Sequence, residues 1–404
     1  MSSELPIPDT RVLAVASHVR YAPPWALVPP VRCMTDRFVQ GCIWSKELWL
    51  TDELRNVGNK IAVFTLQSLG CDVAALNTVQ FRLTPPTQGN HTGYRQWKGT
   101  KVSAQEIRDL FEGLKQSYLD DFDMMLSGYI PGAEAVVAVG DIARELKCKQ
   151  VAAGTPGNFF WVLDPVMGDN GRLYVAEEVV PAYQSLIEHA DLILPNQFEA
   201  ELLSGVKITD MQTLQTAIRA LHTKYRIPHV VITSVSLASP DHPPSHLSVV
   251  GSSMSPATGE PRLFKIVFPA IDAYFSGTGD MFAALMTVRM REAVIAASAS
   301  INAGAVGGEG LLKDRASWLS GDDIDALELP LARAAEMVLA SMHEVLTQTA
   351  QGMHEVVRAA GLDDTTEEGK RRLHLLKSKS AELKLVRNLA SLRAPVVEFR
   401  AKKL

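Results

Sequence analysis

Cysteine is scarce in this sequence, and its few thiols follow no recognisable pattern. The 404 residues include only Cys33, Cys42, Cys71 and Cys148. Their spacing matches neither a zinc site nor a regular disulfide framework. We therefore predict free thiols in a reducing compartment, with a cytoplasmic or additionally nuclear location.

Long apolar runs and an excess of positive charge are also missing. No apolar run approaches the ~20 residues that a membrane span needs, and MSSELPIPDT lacks the features of a signal peptide. A net charge of −5 gives no electrostatic basis for nucleic-acid binding. We expect no membrane and no nucleic acid as partners. The composition, 47% hydrophobic and 21% charged, is ordinary for a globular protein.

What the chain does contain is a regular alternation of short apolar runs and helical periodicity. Strands are predicted at 11–16, 72–76, 124–126, 159–163, 191–194 and 230–233, with a late antiparallel pair at 247–250 and 263–268. Helices are predicted at 59–69, 104–118, 133–146, 178–188, 197–203, 213–224, 279–303 and 326–346. This alternation predicts an α/β fold in which a mostly parallel sheet lies between helical layers. Ligands of such folds bind beyond the carboxyl ends of the strands.

The peptide 276–280, SGTGD, stands before a long apolar helical run. Two glycines allow a sharp turn and a close approach to a ligand, and the following helix offers free N–H groups to an anion. Asp280 then lies in the first helical turn. A carboxylate there binds a phosphate poorly, but it can deprotonate an alcohol that attacks the phosphate. A plain glycine turn with an Asp cap is the alternative.

Polar side chains follow three more predicted strands. Asp164 and Asp169 flank a Pro and Gly turn, and their oxygens suit Mg²⁺ through its retained waters; two solvated turn residues are the alternative. Asn196 and Glu199 have the spacing of a capping box, which is compatible with a place near metal and phosphate. The hydroxyls of Thr233 and Ser234 end another strand, where they bond either phosphate oxygens or local backbone.

Together these segments resemble the pyridoxal kinases of the ribokinase-like superfamily. The matching pieces are VLAVASHV (12–19), VGNKIAVFTLQSLG (57–70), NTVQF (77–81), NHTGYRQWKG (90–99), LSGYIPG (126–132), WVLDPVMGD (161–169), ADLILPNQFEAELLSG (190–205), VVITS (230–234) and SGTGDMFAALM (276–286). HTGY followed by WKG separates pyridoxal kinases from the sugar kinases of that superfamily. The resemblance implies a ribokinase-like three-layer fold with a central, mostly parallel sheet flanked by helices.

The resemblance also implies a reaction and a set of roles. The reaction is transfer of the γ-phosphoryl group of ATP to the 5′-hydroxymethyl of pyridoxal, pyridoxine or pyridoxamine, with Mg²⁺, a monovalent cation (usually K⁺) and commonly a homodimer. Asp280 matches the catalytic base, and the anion hole matches Gly277, Thr278 and Gly279. The ATP-binding positions are Asp164, Asn196, Thr233, Ser234 and Tyr174, and the metal positions are Asp164, Asp169 and Glu199. Positions around the vitamin ring are Ser17, Val57, Phe81, His91, Thr92 and Tyr129.

The chain departs from the family pattern in the loops expected to hold that ring. Relatives pass from the SHV segment to VGNK through a few residues that include a Gly-Tyr pair, whereas residues 20–56 intervene here and the pair is missing. A second insertion, 82–89, precedes NHTGY, and Leu194 replaces a common Thr. We interpret 20–56 as translated intron or a gene-model error; a real insertion with a short amphipathic helix at 44–55 is the alternative. In both cases we expect an intact ATP site and weakened vitamer binding.

We predict a kinase domain at 1–350 and a basic helical extension at 351–404, which has eleven Lys and Arg against four Glu from Thr366 onward. A solvated extension and a site for an acidic partner are both open. Two alternatives to a pyridoxal kinase remain as well. One is a hydroxymethylpyrimidine kinase of the same superfamily, against which HTGY and WKG argue. The other is a catalytically impaired nucleotide-binding protein, against which the retained carboxylates argue.

Overall fold

The computed structural model describes residues 7–20, 57–82, 98–237, 243, 245–302, 311–362 and 365–404. The twelve strands within these ranges are β1 (Thr10–Arg20), β2 (Cys71–Arg82), β3 (Lys98–Lys101), β4 (Met124–Ser127), β5 (Phe160–Leu163), β6 (Gly168–Asp169), β7 (Arg172–Leu173), β8 (Leu192–Ile193), β9 (His229–Val235), β10 (His246–Met254), β11 (Pro261–Pro269) and β12 (Lys402–Lys403). The ten α-helices there are α1 (Asn59–Ser68), α2 (Ala104–Gln116), α3 (Ala133–Ala152), α4 (Val179–Gln184), α5 (Gln197–Ser204), α6 (Met211–Tyr225), α7 (Thr278–Asn302), α8 (Pro330–Ala360), α9 (Glu367–Ser380) and α10 (Leu389–Arg393).

A single large sheet forms the centre of the described chain. Its ten strands have the order β12-β11-β10-β9-β8-β5-β4-β1-β2-β3, and β6 and β7 form a separate hairpin. The neighbours from β2 to β9 pair in parallel, whereas β3, β10, β11 and β12 add antiparallel edges. Because the parallel strands point the same way, their carboxyl ends meet at one edge of the sheet.

Helices cover both faces of the sheet, because successive strand side chains point to opposite sides. In β1, Leu13 and Val15 pack into the core that includes α2 to α6. Val12 and Ala14 pack into the opposite core, which includes α1, α7, α8 and α10. All four side chains are fully buried. A strand buried on both faces reads as a continuous apolar run rather than as an alternating one, as this sequence does.

Several predicted elements differ from those observed. Strands β1 and β2 and helix α3 continue further than predicted, to Arg20, Arg82 and Ala152. The helix predicted at 178–188 is the short α4 followed by a separate 3₁₀ turn, Ile187–His189. The helix predicted at 326–346 begins only at Pro330 and continues to Ala360. Leu329 has φ −60° and ψ 140°, because a residue before proline is disfavoured in the helical region.

The C-terminal region packs back onto the sheet and its helices. The predicted boundary between 350 and 351 falls inside α8, and β12 pairs with β11 at the edge of the sheet. The division into a kinase domain at 1–350 and an extension at 351–404 stays a prediction. Within the described ranges, the helices are too short or too polar to cross a membrane.

Candidate active site

The Asp280 carboxylate lies at the N-terminus of α7, beside the carboxyl ends of the central strands. Its Oδ2 accepts a hydrogen bond from the backbone N–H of Gly58 at 2.7 Å. A Cβ added to Gly128, which follows β4, would lie 4.0 Å from Oδ1 of Asp280. The carboxyl keeps some contact with solvent, but the surrounding protein displaces most of its water. This desolvation raises the pKa of Asp280 to about 6, against the opposing hydrogen bond from Gly58.

Gly58 is required at its position for two reasons, and neither role was predicted. Its backbone has φ 58° and ψ −139° at the N-cap of α1, a conformation that side chains disfavour. A Cβ there would lie 2.0 Å from the carbonyl oxygen of Ser17. The glycine bridges His18 of β1 as well. The sequence signal was a glycine directly before a helix, but nothing in the sequence indicated that its N–H reaches Asp280.

The glycine-rich turn takes the form that the sequence predicted. Gly277 has φ 80°, and α7 begins at the next residue, Thr278. The carbonyl of Gly277 accepts from the N–H of Met281 at 3.1 Å. Gly279 is exposed. The first turn of α7 therefore presents backbone N–H groups at the edge of the sheet where the strands end, which is the geometry of an anion site.

Asp164 lies next to this turn and shares it with other carboxylates. Its Oδ2 is 3.7 Å from where a Cβ of Gly279 would be, and the residue is 8% exposed. Burial, then the charges of Glu199 and Asp280, raise the pKa of Asp164 well above its usual value. Asp164, Glu199 and Asp280 are thus gathered closely enough for their negative charges to repel one another. A cation bound there would relieve this repulsion.

Glu199 acts as a clamp between the DPVMGD loop and α5. Its Oε1 accepts from the N–H groups of Met167 at 2.8 Å and Gly168 at 3.3 Å, and its Oε2 accepts from the N–H of Asn196 at 2.9 Å. Burial raises the pKa of Glu199 to about 7, although these three bonds oppose the shift. The capping box is present, since the Asn196 side chain accepts from the N–H of Glu199. The capping role of Asn196 and Glu199, and their predicted place near metal and phosphate, therefore both depend on the fixed N-terminus of α5.

Asp169 ends β6, next to the turn of the β6–β7 hairpin, and its charge contributes to the raised pKa of Glu199. Its two oxygens accept from the backbone and side-chain N–H groups of Asn170 at 2.8 and 2.9 Å. Among the described residues, no group of three His, Cys, Asp or Glu side chains forms a ready-made metal centre. The predicted set Asp164, Asp169 and Glu199 is thus not preassembled, and its metal role stays a prediction.

A cavity of about 300 Å³ opens beside this acidic region. Thr233, Ser234 and Thr278 form its polar end. Its apolar walls come from strands β10 and β11 and from helices α7 and α8, including Val249, Phe268, Phe282, Leu339 and His343. We call this space the β11–α8 cavity. Its walls were not predicted, because they come from segments that meet only in the folded chain.

Tyr174 directly follows the β6–β7 hairpin and lies near Tyr274. Its side chain is 45% exposed, and Tyr274, which lines the cavity, is 68% exposed. Partial burial and the nearby Asp169, Tyr274 and Glu199 raise the pKa of Tyr174 to about 12. Tyr174 is therefore an un-ionised phenol at neutral pH.

Three predicted ring-binding residues, Ser17, Val57 and Tyr129, are linked to Asp280 through Gly58 and its neighbours. Ser17 is buried and adjoins Gly58. Val57 forms a small apolar cluster with Val79, and Tyr129 packs against it. The hydroxyl of Thr78 donates to the carbonyl of Tyr129 at 2.7 Å, which fixes the backbone of that residue. This contact was also not predicted.

Some predicted positions cannot be placed. His91 and Thr92 lie outside the described residues, and of Phe81 only the backbone in β2 is described. The insertion at 20–56 is described only at Arg20, the last residue of β1. The chain is described again from Val57, and the bridge between His18 and Gly58 places the two ends of the insertion side by side.

Comparison with known proteins identifies the family. The sequence model of a family described as phosphomethylpyrimidine kinase matches residues 133–304. Pyridoxal kinase from Arabidopsis thaliana is 31% identical over 350 residues, which span 86% of this chain and 90% of the plant protein. The chain belongs to the pyridoxal kinase family. Human pyridoxal kinase is 38% identical over 238 residues, which span 57% of this chain and 72% of the human protein.

The family's solved structures agree with the fold. A pyridoxal kinase from Leishmania donovani in complex with ADP and pyridoxamine aligns over 98% of this chain and 100% of its own, with 26% identity and a TM-score of 0.66. The predicted three-layer fold and the resemblance to pyridoxal kinases are therefore confirmed.

Proposed function

We propose that this protein phosphorylates the 5′-hydroxymethyl group of a B6 vitamer (pyridoxal, pyridoxine or pyridoxamine) with ATP. The observation that carries the proposal is the position of Asp280 in the first turn of α7, hydrogen-bonded to Gly58 and next to exposed helix N–H groups. The similarity to named pyridoxal kinases over most of the chain supports it. A solved relative holds ADP and pyridoxamine together, which supports the same pair of ligands here.

The chemistry follows from the charge and position of these groups. Asp280, with a pKa of about 6, is mostly ionised at neutral pH and can accept the proton of the attacking hydroxyl. The hydroxyl oxygen then forms a bond to the γ-phosphorus, and ADP leaves with the electrons of the broken bond. Gly277, Thr278 and Gly279 would supply the N–H groups that stabilise the equatorial oxygens of the transferring group. The hydrogen bond from Gly58 holds the base in place.

The two sides of Asp280 would receive the two substrates. Ser17, Val57 and Tyr129 would contact the vitamin ring, as would Phe81, His91 and Thr92. On the nucleotide side, Thr233 and Ser234 open into the β11–α8 cavity, which has the apolar walls that a nucleobase needs. Asn196 and Tyr174 would lie along the phosphates.

A divalent cation fits the acidic region, because Asp164 is buried among like charges that disfavour its ionised form. We propose that Asp164 would hold Mg²⁺ together with water and the nucleotide phosphates, with Asp169 and Glu199 in the surrounding shell. When bound, Mg²⁺ would neutralise phosphate charge. The monovalent cation, usually K⁺ in this family, is proposed without assigned residues. A homodimer is proposed from the family resemblance, and a cytoplasmic or additionally nuclear location is proposed from the sequence.

The two alternatives are less well supported. A hydroxymethylpyrimidine kinase is in line with the match over 133–304, but that match spans less than half of the chain and the long matches are to pyridoxal kinases. A catalytically impaired nucleotide binder would have little need for a base with a raised pKa beside an anion site. Competition between pyridoxal and hydroxymethylpyrimidine as acceptors separates the two kinases.

The direct test uses the purified 404-residue chain with MgATP and each vitamer. Formation of the vitamer 5′-phosphate, with ADP in equal amount, is the expected result. ATP binding without transfer to any of the three vitamers would support the impaired binder instead.

A further inference from the structure

The C-terminal segment, residues 389–404, runs across the helices that carry the nucleotide side of the site. The guanidinium of Arg289, fully buried on α7, donates to the carbonyls of Leu392 at 2.7 Å and Arg393 at 3.0 Å. Further along, Glu336 of α8 accepts from the N–H of Ala401 at 2.9 Å and from Arg400 at 2.8 Å. The segment ends in β12, which pairs with β11. It is therefore fixed to α7, to α8 and to the edge of the sheet.

One side chain of this segment contacts two walls of the β11–α8 cavity. The ring of Phe399 is 6.3 Å from that of Phe268 on β11, at an interplanar angle of 57°. It is also 4.9 Å from the imidazole of His343 on α8, in an edge arrangement at 82°. Tilted and edge arrangements at these distances are the favourable ones for aromatic pairs.

Both partners of Phe399 line the cavity, and they lie on different elements. Phe268 belongs to strand β11 and His343 to helix α8. Phe399 thus bridges the strand and the helix, and its volume limits how closely they approach each other. Among the cavity residues contributed by α8, His343 has the only side chain with a strong hydrogen-bonding group, beside Leu339, Met342 and Leu346. Phe399 packs its ring against the imidazole of this residue.

We infer that Phe399 is a positioning residue for the nucleotide site, which sets the width of the cavity and the orientation of His343 for the base of ATP. This inference rests on the proposed function only in naming ATP as the occupant. It assigns a function to the end of the C-terminal segment, which acts through Phe268 and His343 and has no contact with the reacting atoms. Its effect is on nucleotide affinity, while the vitamer side around Asp280 is left unchanged.

The test compares Phe399→Ala with two matched variants of the same segment. Val396→Ala shortens a side chain that is 68% exposed, and Phe399→Tyr keeps the ring. We expect Phe399→Ala to raise the KM for MgATP and the calorimetric Kd for ADP about 3- to 10-fold, the equivalent of one or two aromatic contacts. The KM for pyridoxal and kcat stay within about twofold of wild type. Val396→Ala matches wild type, and Phe399→Tyr restores the affinity for ADP.

A purely structural role would give a different result. If Phe399→Ala lowers the melting temperature and the active fraction but leaves the KM for MgATP and the Kd for ADP unchanged, the inference is wrong. An equal rise in both KM values would also contradict it, because it would indicate general loosening of the site. A wild-type chain that binds ADP but phosphorylates no vitamer would refute the proposed function, while the ADP measurements would still test Phe399.

Discussion

At the scale of single residues, the account depends on a carboxylate kept in an unfavourable environment. Desolvation raises the pKa of Asp280 to about 6, so the ionised form that the reaction needs is the form that the folded protein disfavours. A group of this kind lowers stability in order to be reactive. This combination predicts opposite effects of one substitution on activity and on stability.

Asp280→Asn should raise the free energy of unfolding at pH 7 to 8 by about 1–3 kcal/mol, because it removes an acid whose pKa is raised from 3.8 to about 6 by folding. The asparagine oxygen can still accept from Gly58. An acid with a raised pKa binds its proton more tightly in the folded state, so its ionisation lowers the free energy of unfolding as pH rises from about 4 to about 6. Below pH 4, Asp280→Asn and wild type should therefore have the same free energy of unfolding in denaturant titrations.

Asp272→Asn is the matched control for that measurement, since Asp272 is an exposed residue of the preceding loop. It should change stability by less than about 0.5 kcal/mol, as surface substitutions do. A loss of stability in Asp280→Asn at pH 7 would show that the carboxylate is stabilised by the fold, contrary to the raised pKa.

The same pKa predicts the pH dependence of the reaction. Only ionised Asp280 can accept the proton, so kcat/KM for pyridoxal should fall about tenfold per pH unit below about pH 6. The pH profile of initial rates at saturating MgATP measures this. A profile flat from pH 7 down to pH 5 would exclude Asp280 as the base.

Gly58→Ala should abolish activity and destabilise the protein. The added Cβ would lie 2.0 Å from the Ser17 carbonyl oxygen, and the native φ of 58° is one that alanine disfavours. The backbone must therefore shift, which moves the N–H that holds Asp280. We expect kcat to fall at least about 100-fold, the cost of misplacing a catalytic group by about 1 Å. Steady-state kinetics and thermal melts measure the two effects.

The control for Gly58 separates backbone strain from collision. Gly154 also has a positive φ, 74°, but a Cβ there meets nothing within 4 Å. Gly154→Ala should lose about 1 kcal/mol of stability from strain and keep its kcat. Wild-type kcat in Gly58→Ala would mean that its N–H does not position the base.

At the scale of secondary structure elements, the ends of α5 and α7 build the site. Helix α7 begins directly after Gly277 and offers its first turn to an anion. Helix α5 begins at the capping box of Asn196 and Glu199, and the same Glu199 carboxylate holds the DPVMGD loop by two backbone N–H groups. The loop with Asp164 is thus positioned by a helix cap.

Glu199→Gln should weaken this clamp. An amide nitrogen cannot accept a hydrogen bond, so at least one of the three backbone N–H partners loses its acceptor, at a cost of about 1–3 kcal/mol per lost partner. Removing an acid whose pKa the fold raises to about 7 offsets part of this cost at neutral pH. The clearer effect should therefore be a higher KM for MgATP, with the KM for pyridoxal less affected, and kinetics with each substrate varied would measure it.

Glu201→Gln provides the comparison on the same helix. Glu201 accepts from the N–H of Ile208 and from Lys207, away from the DPVMGD loop. It should lose stability while its KM for MgATP stays at the wild-type value. Equal changes in KM for the two variants would attribute the effect to α5 as a whole.

Most elements could be predicted from the sequence, because apolar runs and helical periodicity are local signals. The first turn of α7 and the cap of α5 are also local, since they depend on glycine and capping residues a few positions apart. Contacts between distant segments could not be predicted. The bond from Gly58 to Asp280 joins residues 222 positions apart, and the β11–α8 cavity requires two sheet strands to meet two helices. Neither leaves a periodic pattern in one sequence.

At the scale of the whole molecule, the described residues keep the family's fold, and the insertion that we predict at 20–56 falls in the first crossover, between β1 and α1. The bridge from His18 to Gly58 brings the described residues on either side of 20–56 together, beside Ser17. Loop closure costs little stability for long insertions. Their effect should therefore fall on vitamer binding and not on the fold.

Replacing residues 21–56 by a four-residue linker tests this expectation. The shortened chain should fold with a similar melting temperature and an unchanged KM for MgATP, and its KM for pyridoxal should be lower than that of the full chain. Side-by-side coupled assays give the comparison. A full chain that already binds pyridoxal as tightly as the shortened one would refute weakened vitamer binding.

The central claim is that Asp280 takes the proton of the vitamin's hydroxyl during phosphoryl transfer. Its most direct test is the single-turnover rate of pyridoxal 5′-phosphate formation by the wild-type chain and by Asp280→Asn, with ADP binding measured for both. We predict equal ADP affinity and a rate at least about 100-fold lower in the variant, the usual effect of losing a general base. An undiminished rate in Asp280→Asn would contradict the account.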